Sequence, residues 1–214
     1  MTKEYQQTTP LKINKIVGID LGINFLATTY DSEGKTIFYN GRNIKSKRGN
    51  YKILRKQLQE CGTKSAKRKI KSIGSRENRW MSDINHSITK ALVDKYGENT
   101  LFVLEDLTGV RNSTEKVNIS NRYVSVSWAF YQFRQLLDYK AKMNKSMVIA
   151  VDPKYTSQQC PKCGHIEKAN RNKKNHTFKC KNCSYQSNDD RIGAMNLWRK
   201  GIEYIETNSK ETIE

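Results

Sequence analysis

The stretch Ile16–Gly22 reads Ile-Val-Gly-Ile-Asp-Leu-Gly, an apolar run that contains a single acid, Asp20. A short apolar run bounded by polar residues predicts a buried β-strand. Two more strands are expected at residues 25–30 and 36–39, because Asp-Ser-Glu-Gly at 31–34 has the composition of a turn. A carboxylate within a buried strand is costly unless it is paired or binds a metal ion. Asp20 is therefore a candidate site residue in an opening three-stranded meander.

Two other acids have comparable surroundings. Glu105 ends the apolar run that starts at Thr100, and Asp190 begins the last predicted helix. Acids at two strand ends and a helix start could converge at one edge of a sheet, where Mg²⁺ binds through carboxylates and substrate phosphate. Two such ions, about 3.5–4 Å apart, support phosphodiester hydrolysis. The residues alone leave alternatives open: Asp106 in place of Glu105, and Asp189, or a simple helix N-cap, in place of Asp190.

Four of the five cysteines form two C-x2-C pairs separated by 16 residues: Cys160, Cys163, Cys180 and Cys183. This spacing predicts a four-cysteine zinc site, in which each two-residue gap directs two thiolates at one ion. Four protein ligands complete the tetrahedron, so the zinc is predicted to be structural. Two pairs at this spacing disfavour redox C-x-x-C motifs. His165 and His176 lie between the pairs, but a four-cysteine site does not need them as ligands.

A helical pattern follows the opening strands from about residue 49 to 96, and Gly62 and Gly74 are expected to break it into pieces. The first part is basic, and we predict that it contacts nucleic-acid phosphates, the alternative being a solvated helix face. The basic residues are Lys64, Lys67, Arg68, Lys71, Arg76 and Arg79. A polar, basic loop at 108–126 either lines a cleft or is a crossover, and a second helix is expected at 128–145.

The composition favours a polyanionic partner. Thirty-nine Lys and Arg against 21 Asp and Glu give a formal charge of +18 over 214 residues, and phosphate charge is the usual complement of such an excess. No apolar run approaches the roughly 20 residues that span a bilayer, and the first residues lack a signal-peptide core. We therefore expect a soluble, intracellular protein, cytoplasmic and associated with the nucleoid, with no membrane partner.

Four segments, in this order, resemble the TnpB (OrfB) family of insertion-sequence proteins, which is related to type V CRISPR effector nucleases. The segments are Val17–Asn24 (VGIDLGIN), Val103–Leu107 (VLEDL), Thr156–Gly164 (TSQQCPKCG) and Asn188–Asn196 (NDDRIGAMN). The resemblance covers residues 15 to 200, and the combination of motifs is specific.

The resemblance implies an α/β fold: an RNase H-like (RuvC-like) mixed sheet flanked by helices, with an inserted four-cysteine zinc ribbon. It implies that the catalytic, Mg²⁺- or Mn²⁺-binding acids are Asp20, Glu105 and Asp190. Asp190 is preferred to Asp189 because Asn196 follows it at the family's six-residue interval. The implied activity is metal-dependent DNA cleavage directed by a guide RNA. The corresponding divisions are a flexible lead at 1–14, a nuclease core at 15–155, a zinc ribbon at 156–187, a closing helix at 188–206 and a tail at 207–214.

The sequence departs from the family pattern at three points. Ile192 and Gly193 replace the usual Asn-Ala, and Ser184 replaces the glycine that usually follows the last cysteine. The family is also normally about twice this long, and its N-terminal half, which recognises guide RNA and target-adjacent DNA, has no counterpart here. Three alternatives follow from this: a separate polypeptide supplies that half, the chain is an authentic minimal form, or it is a truncated or regulatory nucleic-acid-binding protein without autonomous cleavage.

Overall fold

The computed structural model describes residues 12–107 and 129–211, and the predicted loop at 108–126 lies outside these ranges. In chain order the main elements are β1 (Lys15–Asp20), β2 (Phe25–Asp31), β3 (Thr36–Asn40), α1 (Arg42–Cys61), α2 (Lys64–Tyr96), β4 (Thr100–Glu105), α3 (Ala129–Met143), β5 (Met147–Val151), β6 (Arg171–Asn172), β7 (Thr177–Lys179), β8 (Gln186–Asn188) and α4 (Asp189–Glu211).

Strands β1 to β5 form one mixed sheet in the order β3-β2-β1-β4-β5. The first three strands pair antiparallel, as the predicted meander requires, whereas β4 pairs parallel with both β1 and β5. Ile19 is opposite Leu104 in the β1–β4 register, so both strands end at the same edge of the sheet. The mixed sheet flanked by helices that we predicted is confirmed.

The side chains of the central strands alternate between two packed faces, as strand geometry dictates. Val17 and Ile19 of β1 belong to the core formed with α2 and α3, together with Leu92 and Leu137. Residues of the opposite parity face α4. A Cβ atom on Gly18 would lie 2.1 Å from the Ala194 carbonyl oxygen of that helix. Helix α4 therefore packs against the backbone of β1.

The same parity rule applies to β4 and decides where the strand-end acids lie. Leu101 and Val103 pack with Leu197 of α4, whereas Phe102 and Leu104 belong to the opposite core. Glu105 lies two residues after Val103 and therefore on the same face as Leu101 and Val103. Asp20 follows Gly18 in the same way on β1, so both acids belong to the sheet face that α4 covers.

The helical region begins at Arg42, rather than near residue 49, and extends to Tyr96. Gly62 ends α1 in the left-handed conformation, as predicted, with a φ of 65°. The prediction that Gly74 breaks the region is wrong, because α2 continues through it for 33 residues. A glycine costs a helix only about 1 kcal/mol, and burial of the apolar side chains of Ile73 and Met81 on α2 offsets that cost.

The segment that holds the cysteines folds as a small three-stranded antiparallel sheet, β6-β7-β8, whose last strand leads directly into α4. Phe178 is buried with Cys160, Cys180 and Ile192. Within residues 12–107 and 129–211, no helix has the length and apolarity needed to cross a membrane.

Candidate active site

Three predicted acids approach one edge of the sheet. Asp20 is the last residue of β1, and Glu105 is the last residue of the adjacent parallel strand β4. Asp190 lies in the first turn of α4. A Cβ atom on Gly193, one turn along α4, would lie 2.7 Å from Asp20 Oδ2. The glycine at this departure from the family pattern thus lets the helix approach the Asp20 carboxylate closely.

The charges of these acids act on one another. Burial is the largest cause of a pKa of Asp20 well above its ordinary value, and the charges on Glu105 and Asp190 raise it further, while Arg171 opposes the shift. Burial also raises the pKa of Glu105, against a hydrogen bond from Thr156. For Asp190, burial and the neighbouring Asp189 raise the pKa. Carboxylates that repel one another in this way are stabilised when a cation binds between them.

The two adjacent aspartates at the start of α4 have different environments. The Asp189 side chain is fully buried, and Arg171 Nε donates to its Oδ2 at 2.8 Å. Asp190 retains accessible surface. Its charge contributes, after burial and Glu105, to the raised pKa of Asp20. The helix N-cap role is filled by Asn188, whose Oδ1 accepts from the backbone N–H groups of Asp190 and Arg191. Asp189 is therefore engaged in an ion pair, which favours Asp190 as the site acid.

Glu105 and Asp106 also differ. The Thr156 hydroxyl donates a short hydrogen bond to Glu105 Oε1. Thr156 is itself fixed by Asn196 of α4, whose Nδ2 donates to the Thr156 carbonyl at 2.7 Å. Asp106 is 3.5 Å from Arg134 Nη1, and its side chain is 43% exposed. Burial and the charge on Glu105 raise the pKa of Asp20, which favours Glu105 as the site acid.

The cysteine module supplies two side chains to this edge of the sheet. Arg171 begins β6 and reaches Asp189, as described above. His176 precedes β7, and its Nε2 lies 2.6 Å from Asn24 Nδ2 in the loop after β1. Its Nδ1 lies 3.6 Å from Asp189 Oδ1. Sequence reasoning left His176 without a role and missed Arg171, because neither the spacing nor the composition distinguishes them from their polar and basic neighbours.

Among the described residues, two sets of three or more ligand-type side chains have donor atoms within 4.8 Å of one another. The first is the four cysteines, and the second is His176, Asp189 and Asp190. Asp20, Glu105 and Asp190 do not form such a set. At least one pair of these three carboxylates therefore has its oxygens more than 4.8 Å apart.

The four cysteine sulfurs have the separation of a tetrahedral metal site. Cys160 Sγ to Cys183 Sγ and Cys163 Sγ to Cys180 Sγ are both 3.6 Å. A tetrahedron with a Zn–S distance of about 2.3 Å requires sulfurs about 3.8 Å apart. His165 does not belong to the cluster, since its Nε2 contacts Glu167 Oε2 at 3.1 Å.

The two cysteine knuckles repeat the same turn with different residues. Gly164 follows the first pair with a φ of 76°, and Ser184 follows the second with a φ of 57°. The backbone N–H of each donates to the first cysteine of its pair, at 2.9 and 3.0 Å. The left-handed conformation suits glycine and costs other residues about 1–2 kcal/mol. Ser184 thus occupies a strained position where the family usually has glycine.

We expect Ser184→Gly to stabilise the metal-loaded protein by about 1 kcal/mol, because glycine removes the left-handed strain at some cost in unfolded-state entropy. Denaturant unfolding and the rate of metal release to a chelator would measure this. Gly164→Ala is the matched control, since a Cβ there meets no atom within 4 Å and should destabilise through φ alone. A destabilising Ser184→Gly substitution would contradict this account.

The six predicted nucleic-acid-binding residues, Lys64, Lys67, Arg68, Lys71, Arg76 and Arg79, are all exposed on α2. Residues of the same helix that face inward include Ala66 and Ile73. The predicted helix at 128–145 corresponds to α3. Arg111, Lys116 and Arg122 of the predicted basic loop lie outside the described residues.

A mixed sheet with acids at the end of two parallel strands and at the start of a covering helix, joined to a four-cysteine module, defines a class of candidate nuclease. Comparison with known proteins gives the family. Residues 1–114 match the OrfB family of IS605-type elements, described as "Probable transposase", and residues 130–197 match the Cas12f1-like TNB domain. Because the first match covers more than half of the 214 residues, the chain belongs to this OrfB family, and the predicted TnpB relationship is confirmed.

Individual relatives agree with this assignment. The chain is 32% identical over 216 residues to the CRISPR-associated endodeoxyribonuclease Cas12f1 of Sulfoacidibacillus thermotolerans, covering 93% of this chain and 49% of that protein. It is 29% identical over 201 residues to a TnpB-like protein of Methanocaldococcus jannaschii, covering 89% of this chain and 70% of that protein. The chain therefore spans only about half the length of the Cas12f1 relative.

Solved structures show the same fold. A Cas12f1 chain from a cryo-EM structure of a Cas12f1–sgRNA–target DNA complex matches with a TM-score of 0.66 and 19% identity, over 88% of this chain and 50% of that one. A CRISPR-Cas12f ternary complex gives a TM-score of 0.66 at 20% identity, over 91% and 40%. At these identities the likeness concerns the fold.

Proposed function

We propose that this chain is the nuclease part of a transposon-associated, RNA-guided DNA endonuclease, with Asp20, Glu105 and Asp190 as its catalytic acids. One observation supports this most strongly: Asp20 and Glu105 end adjacent parallel strands beside Asp190, and burial together with the charges on Glu105 and Asp190 raises the pKa of Asp20. A half-buried acid placed among other half-buried acids is unfavourable in a purely structural role. Relatives named as RNA-guided or CRISPR-associated DNA endonucleases support the same reading.

The donor set fits hard divalent ions. Carboxylate oxygens that share their site with substrate phosphate are the usual ligands of Mg²⁺, and Mn²⁺ accepts the same ligands. When bound, two such ions would activate water and stabilise the leaving oxygen in phosphodiester hydrolysis. The wider spacing of the three acids is compatible with a two-ion site, which does not require all ligands to surround one ion.

The remaining residues of the site hold these acids in position. Thr156 and Asn196 fix the carboxylate of Glu105. Arg171 forms an ion pair with Asp189. Of the two adjacent aspartates, Asp190 is therefore the one proposed to face the site. We propose that Cys160, Cys163, Cys180 and Cys183 bind a structural Zn²⁺, which would keep the hairpin that bears Arg171 in place.

Nucleic acids are the proposed partners. The net charge of +18 and the exposed basic residues of α2 support contact with the phosphates of DNA and of a guide RNA. A separate polypeptide that supplies the regions present in the longer relatives is a further proposed partner. We also propose the domain division given above and, from the DNA partner, a location at the nucleoid. The second candidate function, nucleic-acid binding without autonomous cleavage, is supported by the same net charge and the same exposed basic residues of α2.

Cleavage by a matched pair of variants would test the nuclease proposal. We expect the wild-type chain, with its co-purified RNA, to cut labelled single- or double-stranded DNA only when Mg²⁺ or Mn²⁺ is added. Glu105→Gln should reduce the rate at least a hundredfold, the equivalent of about 3 kcal/mol of transition-state stabilisation. Asp106→Asn, the control at the adjacent position, should stay within about twofold of wild type, because a partly exposed ion pair contributes little.

Two outcomes would change the assignment. If the Glu105 and Asp106 variants lost cleavage equally, Glu105 would lose its place as the site acid. If the wild-type chain bound DNA with the steep salt dependence of phosphate contacts but never cut it, the binding function would replace the enzymatic one.

A further inference from the structure

The Asn24 side chain joins three separate elements beside the acids. Lys45, in the first turns of α1, donates from Nζ to Asn24 Oδ1 at 3.3 Å. On the other side of the amide, Asn24 Nδ2 lies 2.6 Å from His176 Nε2 of the cysteine module. The backbone supports the same junction, since the Gly41 N–H donates to the Asn24 carbonyl at 2.7 Å. The loop after β1, helix α1 and the cysteine module therefore meet at this amide.

These contacts fix the orientation of the amide and show which imidazole nitrogen accepts from it. An amide nitrogen only donates hydrogen bonds, so His176 Nε2 is the acceptor of the bond from Asn24, and Nδ1 is the ring nitrogen on the side of Asp189. Asn24 Nδ2 uses one of its two protons on His176, and the Lys45 ammonium uses one of three on Asn24 Oδ1. The further N–H groups of Asn24 and Lys45 are of the kind that donate hydrogen bonds to phosphate oxygens in protein–DNA complexes.

The position of this junction relative to the acids matters as much as its chemistry. His176, Asp189 and Asp190 have donor atoms within 4.8 Å of one another, and Arg171 pairs with Asp189. Lys45 is exposed on a helix that buries none of its own residues. The Asn24 amide and the His176 imidazole therefore connect an exposed cation to the site acids, on the side where α1 begins.

We propose that Lys45 and Asn24 form a phosphate-binding site for the DNA strand that is cut, at a phosphate next to the scissile one, and that His176 is a positioning residue that orients Asn24. This rests on the proposed nuclease function. The three carboxylates repel a polyanionic strand until metal ions are bound, and a donor pair beside them would help to hold the strand in register. Backbone contacts of this kind set position without reading sequence.

Phosphate neutralisation in the DNA gives a direct test. A labelled single-stranded DNA would carry one uncharged methylphosphonate at successive positions around the cleavage site, and both its affinity in Ca²⁺ and its cleavage in Mg²⁺ or Mn²⁺ would be measured. We expect one position near the cut where the substitution weakens wild-type binding about tenfold, the effect of losing a hydrogen bond to a charged group. In Lys45→Ala the same substitution should have no further effect.

Two sets of variants separate a contact from a structural effect. Lys56→Ala removes an equal charge from the exposed far part of α1, where Lys56 pairs only weakly with Glu60 at 3.8 Å, and it should keep the full methylphosphonate effect. His176→Gln keeps an acceptor for Asn24 and should bind DNA like wild type. His176→Ala leaves Asn24 without that acceptor and should bind DNA as weakly as Asn24→Ala. Both His176 variants should keep the metal content of the cysteine cluster, and the losses should be in KM rather than kcat.

The outcomes are distinct from those of the nuclease test. A wild-type chain that binds DNA without cutting it would refute the nuclease function, while the binding pattern in Ca²⁺ would still decide this site. Equal methylphosphonate sensitivity in wild type and Lys45→Ala would overturn the phosphate site. Equal binding by His176→Gln and His176→Ala would overturn the positioning role, and absence of any DNA binding would overturn both.

Discussion

Replacing Asp20 with asparagine is expected to reduce metal-dependent DNA cleavage by roughly a thousandfold or more, the rate equivalent of about 4 kcal/mol. The substitution keeps the shape of the side chain but removes its negative charge. That charge interacts with the charges on Glu105 and Asp190 at the sheet edge. Affinity for DNA and the metal content of the cysteine cluster should persist, because neither depends on this carboxylate. The metal-free variant should be at least as stable as wild type, since a half-buried repulsive charge has been removed.

Single-turnover cleavage and a filter or anisotropy binding assay would measure these two effects separately. Asp83→Asn is the control, because Asp83 is an exposed acid of α2 and its charge lies outside the site. Cleavage by Asp20→Asn at the rate of the control variant would remove Asp20 from the catalytic group. Loss of both cleavage and DNA binding would show that the variant is misfolded, which a thermal unfolding curve would identify.

Gly18→Ala is expected to destabilise the protein by more than about 3 kcal/mol, at or beyond the upper end of overpacking costs. A Cβ at this position would lie 2.1 Å from the Ala194 carbonyl oxygen and 2.5 Å from the Trp198 backbone nitrogen. Backbone atoms of a helix cannot rotate aside as a side chain can, so α4 would have to move away from β1. Asp190 is carried on α4, so cleavage should be lost together with stability.

Denaturant unfolding with the cysteine site loaded would measure the Gly18 effect. Gly49→Ala gives a matched glycine substitution: Gly49 lies within α1, and a Cβ there meets no atom within 4 Å. That control should stabilise the protein by about 0.5–1 kcal/mol, the helix propensity difference between the two residues. A Gly18→Ala protein with wild-type stability would contradict the close packing of α4 on β1.

The parts of the fold that local pattern determines could be predicted. The strands that end in Asp20 and Glu105 are short apolar runs, and the cysteine spacing specifies its own geometry. The choice between Asp189 and Asp190 could not be made from local physics, because both begin a helix and only the ion pair with Arg171 separates them. Resemblance to the family, rather than periodicity, gave the preference for Asp190.

The contributions of the cysteine module to the site could not be predicted from sequence. Arg171 and His176 reach Asp189 and Asn24 only because the small sheet β6-β7-β8 docks at the start of α4, and no local pattern records that docking. Gly74 illustrates the opposite failure. Its local propensity argues for a break in the helix, but side chains buried on either side of it hold α2 continuous. In both cases tertiary packing, and not the local sequence, decides the outcome.

Direct titration of Mn²⁺ into the protein would test most plainly whether Asp20, Glu105 and Asp190 form one metal centre. We expect Mn²⁺ to bind the wild type, with an affinity that is weakened at least tenfold in each of Asp20→Asn, Glu105→Gln and Asp190→Asn, and unchanged in Asp106→Asn. Double variants should lose little more than single ones, because ligands of one centre act together. Wild-type Mn²⁺ affinity in all three single variants would contradict the shared metal centre.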